Sequence, residues 1–254
     1  MRSLTVAEQL LQSLGVTSPA EIDVEAIAWE TGAIVKNGPL ESCEARIIGY
    51  GDRAIITVRG DVDWRRRRFS IAHELGHWQF HRGRSSLCRA SDIGSPGNQG
   101  SAVEHQADRY AAELLMPAYL FRPMAASYKR PSFEAVDALA TEFSTSRLAT
   151  ALRFVDQGPW PCMLVCHGPR GRRWFRRGKD VPERWFPQTD LDPESSAMDV
   201  LYSRVDQTGP TLIGADAWFD RWDAANFNLM EQTVRGHGDE ALTLLTLTDT
   251  KMVD

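Results

Sequence analysis

The sequence predicts an α+β protein, with helices around a small three-stranded sheet, then a helical hairpin and a β-rich C-terminal region. Three observations predict it. Helical patterns occupy residues 5–15, 22–32, 69–81 and 101–117. Short β-branched or alternating runs lie between the second and third of these. Beyond Gly158-Pro159 the composition changes and hairpin patterns take over. At 254 residues, 43% hydrophobic and 25% charged, the chain can bury a substantial core, which excludes a disordered polypeptide.

The N-terminal string MRSLTVAEQLLQSLG reads as an amphipathic helix. It lacks the basic start and continuous apolar run of a signal peptide. No apolar stretch approaches the roughly 20 residues that span a bilayer. The expectation is therefore a cytoplasmic protein without a membrane segment. A VTSP turn leads to a second short helix over 22–32, with Asp23 and Glu25 near its start. Strands are predicted at Ala33–Lys36, Ala45–Tyr50 and Ala54–Arg59, with Gly51-Asp52 turning the second into the third.

The next helix carries the chemistry. FSIAHELGHWQFH (69–81) contains an H-E-x-x-H motif at His73, Glu74 and His77. At about 1.5 Å rise per residue, residues four apart share a helix face and stand roughly 6 Å apart along the axis. Two imidazoles so placed can converge on one Zn²⁺, and Glu74 can reach an attacking water as general base. Catalytic zinc needs a third protein ligand. Glu104 in SAVEHQADRYAAELLMP (101–117) is the candidate. Val103, Ala107, Tyr110, Ala111, Leu114 and Leu115 give that segment its helical period, and Pro117 marks its end. Glu104 and Asp108 share one face, so Asp108 can receive the N–H of a ligating histidine. His81 lies about 12 Å along the axis from His73, too far for one ion on an intact helix. His105 points about 100° away from Glu104.

RFSIAHELGHWQFH followed by EHQADRYAAELLMP resembles the ImmA/IrrE family of zinc metallopeptidases over about residues 25–120. The 27-residue step from His77 to Glu104 suits that family's third ligand. The resemblance implies a zincin-like catalytic domain and a single Zn²⁺ held by His73, His77 and Glu104. It also implies Glu74 as catalytic base, with Asp108 standing where the family often has Asn. It implies further a protein substrate, a DNA-binding repressor of the helix-turn-helix type, cleaved to derepress stress-response or mobile-element genes. In such proteases a sheet edge beside the cleft can hold an extended substrate by strand addition.

Other segments read more plainly. Arg65–Arg68 is expected to form the solvent face of a helix start, backed by Trp64 and Phe69. RGRSSLCRASDIGSPGNQG (82–100) has no apolar period and is either a lid or a surface excursion. Residues 132–154 form a helical pair resembling a helix-turn-helix, but Arg147 and Arg153 are a sparse supply for base reading. A structural hairpin is favoured over direct DNA binding. Cys43, Cys88, Cys162 and Cys166 have no framework spacing, and the last two share one face of a strand as plain buried thiols.

Met163–His167 with Arg172–Arg176, and Asn228–Arg235 with Ala241–Thr248, read as two β-hairpins. Arg170, Arg172, Arg173, Arg176, Arg177 and Lys179 surround Trp174 and Phe175 on the first. Such a pattern can bind single strands of nucleic acid, but a solvated turn facing acidic chain is preferred. From Asp180 onward 15 acidic side chains stand against 5 basic ones, a balance of −10 that leaves +5 for residues 1–179. The organisation expected is a metallopeptidase domain (1–125), a helical hairpin (126–155) and a small acidic β-rich domain (156–254). The rival to an endopeptidase is a non-proteolytic regulatory or antitoxin-type binding protein with a structural or vestigial zinc site. A metal hydrolase acting on something other than a peptide is a third reading.

Overall fold

The structure, a computed structural model, describes residues 3–41, 43–80, 86–88 (backbone only), 102–203 and 205–253. It divides into two units, Met1–Pro123 with Leu139–Ala149, and Met124–Ala138 with Thr150–Asp254. Among the described residues no helix is long and apolar enough to cross a membrane.

The first unit opens with helices α1 (Val6–Ser13) and α2 (Val24–Glu30). Each starts where a side chain satisfies free backbone N–H groups, an effect worth about 1 kcal/mol. The Thr5 side chain accepts from Glu8 N–H, and Glu8 Oε2 accepts from Thr5 N–H at 3.0 Å, a reciprocal box. Asp23 accepts from the N–H groups of Glu25 and Ala26 at 3.0 and 3.1 Å. Glu8 is buried and also accepts from Ala118 N–H at 2.7 Å, which ties α1 to the chain after the second zinc-motif helix.

Strands β1 (Ala33–Asn37), β2 (Ala45–Tyr50) and β3 (Arg53–Val58) follow. Helix α3 (Trp64–Phe80), strand β4 (Ser86–Cys88) and helix α4 (Ala102–Leu115) come next. The sheet order is β1-β3-β2-β4, with β1 parallel to β3 and the other pairs antiparallel. The expected three strands thus gain a fourth. It lies in the 82–100 segment, whose remaining residues, like His81, fall outside the described ones. Ala33, Ala45, Ile47, Ala54, Ile56 and Val58 form the buried face of the sheet. Helix α3 packs on β2 and β3, and its residues Ser70 through Trp78 are all buried. Trp78 fixes the helix there. Its Nε1–H donates to Thr31 O at 2.8 Å, and its ring fills the space over Gly49, where an added Cβ would stand 2.5 Å away.

One expectation is corrected here. Within the first turns of α3 only Arg65 is a solvent-exposed arginine; Arg66, Arg67 and Arg68 are not. Arg66 pairs with Glu44 at 2.6 Å, Arg67 reaches Glu25 at 2.8 Å and Asn37 at 2.7 Å, and Arg68 donates to Ile22 O at 3.0 Å. Trp64, expected to back the run, is half exposed. The side chains are long enough to span from α3 to α2 and the chain before β2, so they fasten the helix instead of facing water.

Helices α5 (Ala118–Ala126), α6 (Phe133–Glu142) and α7 (Arg147–Gln157) follow, and the division between the units passes through all three. Helix α5 is not legible as a separate period. It begins directly after Pro117, the residue that ends α4.

The second unit holds strands β5 (Cys162–Gly168) and β6 (Gly171–Arg177), then helix α8 (Ser196–Tyr202). Strands β7 (Thr211–Gly214), β8 (Asn228–Arg235) and β9 (Ala241–Leu247) and helix α9 (Thr250–Val253) complete it. The sheet is antiparallel, in the order β6-β5-β9-β8-β7. Its central strands β5 and β9 are buried along their whole length. On one face Met163, Val165, Leu229, Leu245 and Leu247 pack with Trp185, Trp218 and Phe219. Buried Glu231 closes that face by accepting from Ser195 Oγ, Ser196 N and Trp218 Nε1 at 3.1, 2.6 and 2.8 Å. On the other, Gln232 accepts from Phe133 N–H at 2.7 Å. Cys162 and Cys166 are buried free thiols, and burial pushes both up to about 12. Of the basic residues of β6, Arg173 meets the acidic tail at Glu240, whereas Arg176 pairs with Asp156 ahead of that tail, both at 2.7 Å.

Candidate metal centre

Helices α3 and α4 build the site, and small residues set their distance. An added Cβ at Gly76 would stand 2.9 Å from Ala107 Cα, so the two backbones touch where glycine faces alanine. This close approach lets side chains one turn away on each helix meet. Asp63 starts α3 by accepting from the N–H groups of Arg65 and Arg66 at 3.0 and 3.4 Å.

His73 and His77 are four residues apart and their Nε2 atoms face each other at 3.0 Å. Glu104 Oε2 approaches them from α4, at 3.2 Å from His73 Nε2 and 3.5 Å from His77 Nε2. One ligand atom from each of the three residues lies within 4.8 Å of the others. No other group of three His, Cys, Asp or Glu side chains with that spacing occurs among the described residues. Two imidazole nitrogens and a carboxylate oxygen are the donor set of a zinc site, so the residues fit such an ion. On the far side of its ring, His73 Nδ1 lies 2.9 Å from Asp108 Oδ1.

The electrostatics point the same way. His73 is fully buried, and burial alone would lower its pKa. Hydrogen bonds to Asp108 and Glu104, with the charges of Asp108 and Glu74, outweigh burial and raise it to about 9. The cradle is rich in carboxylate and favours a cation at its centre. Glu74 is fully buried beside it. Its charge also reaches Cys43, whose thiol is pushed up first by burial and then by Glu74. The structure therefore brings His73, His77, Glu104 and Asp108 into one constellation, with Glu74 next in sequence on the same helix. His105 is exposed, apart from the group. Cys43 was read only as a cysteine without framework spacing, and Glu44 was not singled out. They lie about 30 residues from the motif, and nothing in their local sequence marks them as its neighbours.

Residues 37–155 match the Peptidase_M78 family, described as an IrrE N-terminal-like domain. Among solved structures the chain is similar to a Mycobacterium tuberculosis transcriptional regulator. The two are 15% identical with a TM-score of 0.61, over 95% of this chain and 86% of that one. At that identity the likeness speaks for the fold alone. No curated protein sequence matches the chain. The α+β fold, the paired helices of the site and the family match agree: over residues 37–155 the chain carries an IrrE N-terminal-like domain, the domain of the Peptidase_M78 family model.

Proposed function

We propose that the protein is a zinc-dependent endopeptidase of the cytoplasm that cleaves a specific helix-turn-helix repressor, derepressing stress-response or mobile-element genes. The observation that carries the peptidase reading is the convergence of His73, His77 and Glu104 within 4.8 Å of one another. The substrate class rests on the family alone.

In this reading His73, His77 and Glu104 hold one Zn²⁺. When bound, zinc supplies a Lewis acid that lowers the pKa of a water toward about 7 and polarises a carbonyl. The chain's own residues do the rest. Asp108 accepts the Nδ1 proton of His73, which fixes the tautomer and leaves Nε2 as the donor atom. Glu74 takes a proton from the attacking water and delivers it to the leaving amine nitrogen. Its burial keeps bulk water from competing for that proton.

The test is direct. Zinc-loaded protein is incubated with the regulator encoded beside it, and any cut is mapped by mass spectrometry. Cleavage at one bond, retained zinc in Glu74→Gln and a loss of rate of about 10²–10⁴ in that variant are expected. Full cleavage by Glu74→Gln would sink the mechanism, and no cleavage of any neighbouring regulator would sink the substrate.

A further inference from the structure

The sheet of the first unit has one covered face and one open face. Successive side chains of a strand point to opposite faces, so the residues between those buried under α3 lie on the open one. Ile34 on β1 is the register partner of Ile55 on β3, and Ile55 is in turn the partner of Ile48 on β2. With strands about 4.8 Å apart, the three make one row about 10 Å long. They are 37%, 41% and 51% exposed. A single exposed apolar side chain is ordinary, but three side by side on adjacent strands form a contiguous patch, which calls for a reason.

Cations flank that row on both sides. Lys36 and Arg46 stand two residues along their strands from Ile34 and Ile48, both opposite Thr57 of β3. Arg53 stands two residues before Ile55, opposite the almost fully exposed Tyr50, and so lies on the other side of the row. Two residues of strand span about 7 Å, which puts the two cationic lines about 13–14 Å apart. Lys36 and Arg53 are exposed and Arg46 is partly so. Among the described residues none of the three has an ion-pair partner, whereas Arg59 just past β3 has Asp61 and Arg66 has Glu44. No open-face position of these three strands is acidic, and Asp52 lies in the turn beyond Tyr50.

An α-helix fits these dimensions. Its diameter with side chains is about 10–12 Å, and residues three or four apart on one face are separated by about 5–6 Å. Laid along the row, an apolar stripe meets the isoleucines in steps close to the strand spacing. The flanks of the helix then come over the cations and match them if they carry carboxylates. A second copy of this chain fits badly, because its Lys36, Arg46 and Arg53 would meet their own kind. A bilayer surface fits badly too. It takes side chains that sink about 5–10 Å into it, and isoleucines half sunk in a sheet do not reach that far.

We propose that the open face of this sheet docks an acidic amphipathic helix of a protein partner. The apolar stripe of the helix rests on Ile34, Ile55 and Ile48, and its carboxylates pair with Lys36, Arg46 and Arg53. The surface lies across the sheet from α3, so a partner held there does not cover His73 and His77.

The test uses the full chain with labelled isoleucine methyl groups and two synthetic helical peptides. Both carry leucine at i, i+3, i+4 and i+7, one with glutamate on the flanks and the other with lysine. Saturable binding of the glutamate peptide is expected in fluorescence anisotropy, about tenfold or more tighter than the lysine peptide and weakened by added salt. The NMR signals of Ile34, Ile48 and Ile55 should shift with it. Ile48→Asp, its fold checked by thermal melting, should weaken binding about tenfold or more, as befits a contact at the centre of an interface. Lys36→Glu combined with Arg53→Glu should reverse the preference between the peptides. Equal binding of the two peptides, or methyl signals that the glutamate peptide leaves in place, overturns the proposal. So do methyl shifts produced by vesicles of equimolar phosphatidylcholine and phosphatidylglycerol but not by the peptide, which indicate a lipid surface. A dimer in sedimentation that Ile48→Asp abolishes overturns it in favour of a second copy. The methyl signals of the native chain decide the matter if a variant fails to fold.

Discussion

Asp108 Oδ1 stands 2.9 Å from Nδ1 of His73, reaching across from α4 to α3 on the side of the ring away from His77 and Glu104. In the proposed zinc-bound state this contact would hold the proton on Nδ1 and leave Nε2 for the ion. Asp108→Ala should leave the three ligands in place while weakening zinc affinity about 10–100-fold, the usual cost of losing such a partner. Competition against a chromophoric chelator measures it. Unchanged affinity would show that Asp108 does not orient the ring.

Removing a ligand should act differently. His73→Ala and Glu104→Ala should purify with substoichiometric zinc, read by elemental analysis. Chelation of the wild type should lower its Tm, because a ligand bound only by the folded state stabilises by mass action, about 2.7 kcal/mol at a free concentration 100-fold above Kd. A melting curve indifferent to chelator would argue against a resident ion.

Gly76→Ala probes the contact between the helices. Alanine gains about 1 kcal/mol of helix propensity over glycine. Its methyl would meet Ala107 Cα at 2.9 Å, however, and backbone cannot rotate away. Overpacking costs typically about 1–3 kcal/mol, so a net loss of roughly 1–2 kcal/mol is expected in denaturant unfolding. A stabilised variant would mean that the helices separate easily.

The second unit should weaken in mild acid. His167 has its pKa lowered to about 4 in the fold. Unfolded, it titrates near 6.5. Below that value the unfolded chain binds more protons, so stability falls as pH drops from about 6.5 toward about 4, by on the order of 2–3 kcal/mol. His73, raised to about 9, acts oppositely in metal-free protein. Its contribution is complete below about 6.5 and is lost as pH rises through 9. Unfolding of wild type and His167→Phe between pH 7 and 4.5 separates the two, and equal pH slopes would refute the assignment to His167.

Much of the site was legible because its spacing is local. His73 with His77, and Glu104 with Asp108, are each four residues apart, and helical geometry alone places each pair on one face. The strands at 33–37, 45–50 and 53–58 and both hairpins of the second unit were legible for a similar reason, since β-branched runs bounded by turns need no tertiary context. The short elements were not. Helix α8 is seven residues long and is capped by Ser195, too short for a period to emerge, and β7 has four residues.

The arginines in the first turns of α3 were misread because sequence records charge but not reach. Three of them extend to Glu44, Glu25, Asn37 and Ile22, residues 22 to 46 positions away, and so become internal fastenings. The sequence by itself determined the donor types, their spacing within each helix and the α+β class, all of which follow from periodicity within one segment. Only the tertiary structure decided that α3 and α4 touch at Gly76 and Ala107, that Asp108 Oδ1 lies against His73 Nδ1, and that Arg172 lies beside His167. Those facts depend on backbone approach, ring orientation and a one-residue bulge, which are set by packing between segments and have no period for a sequence to display.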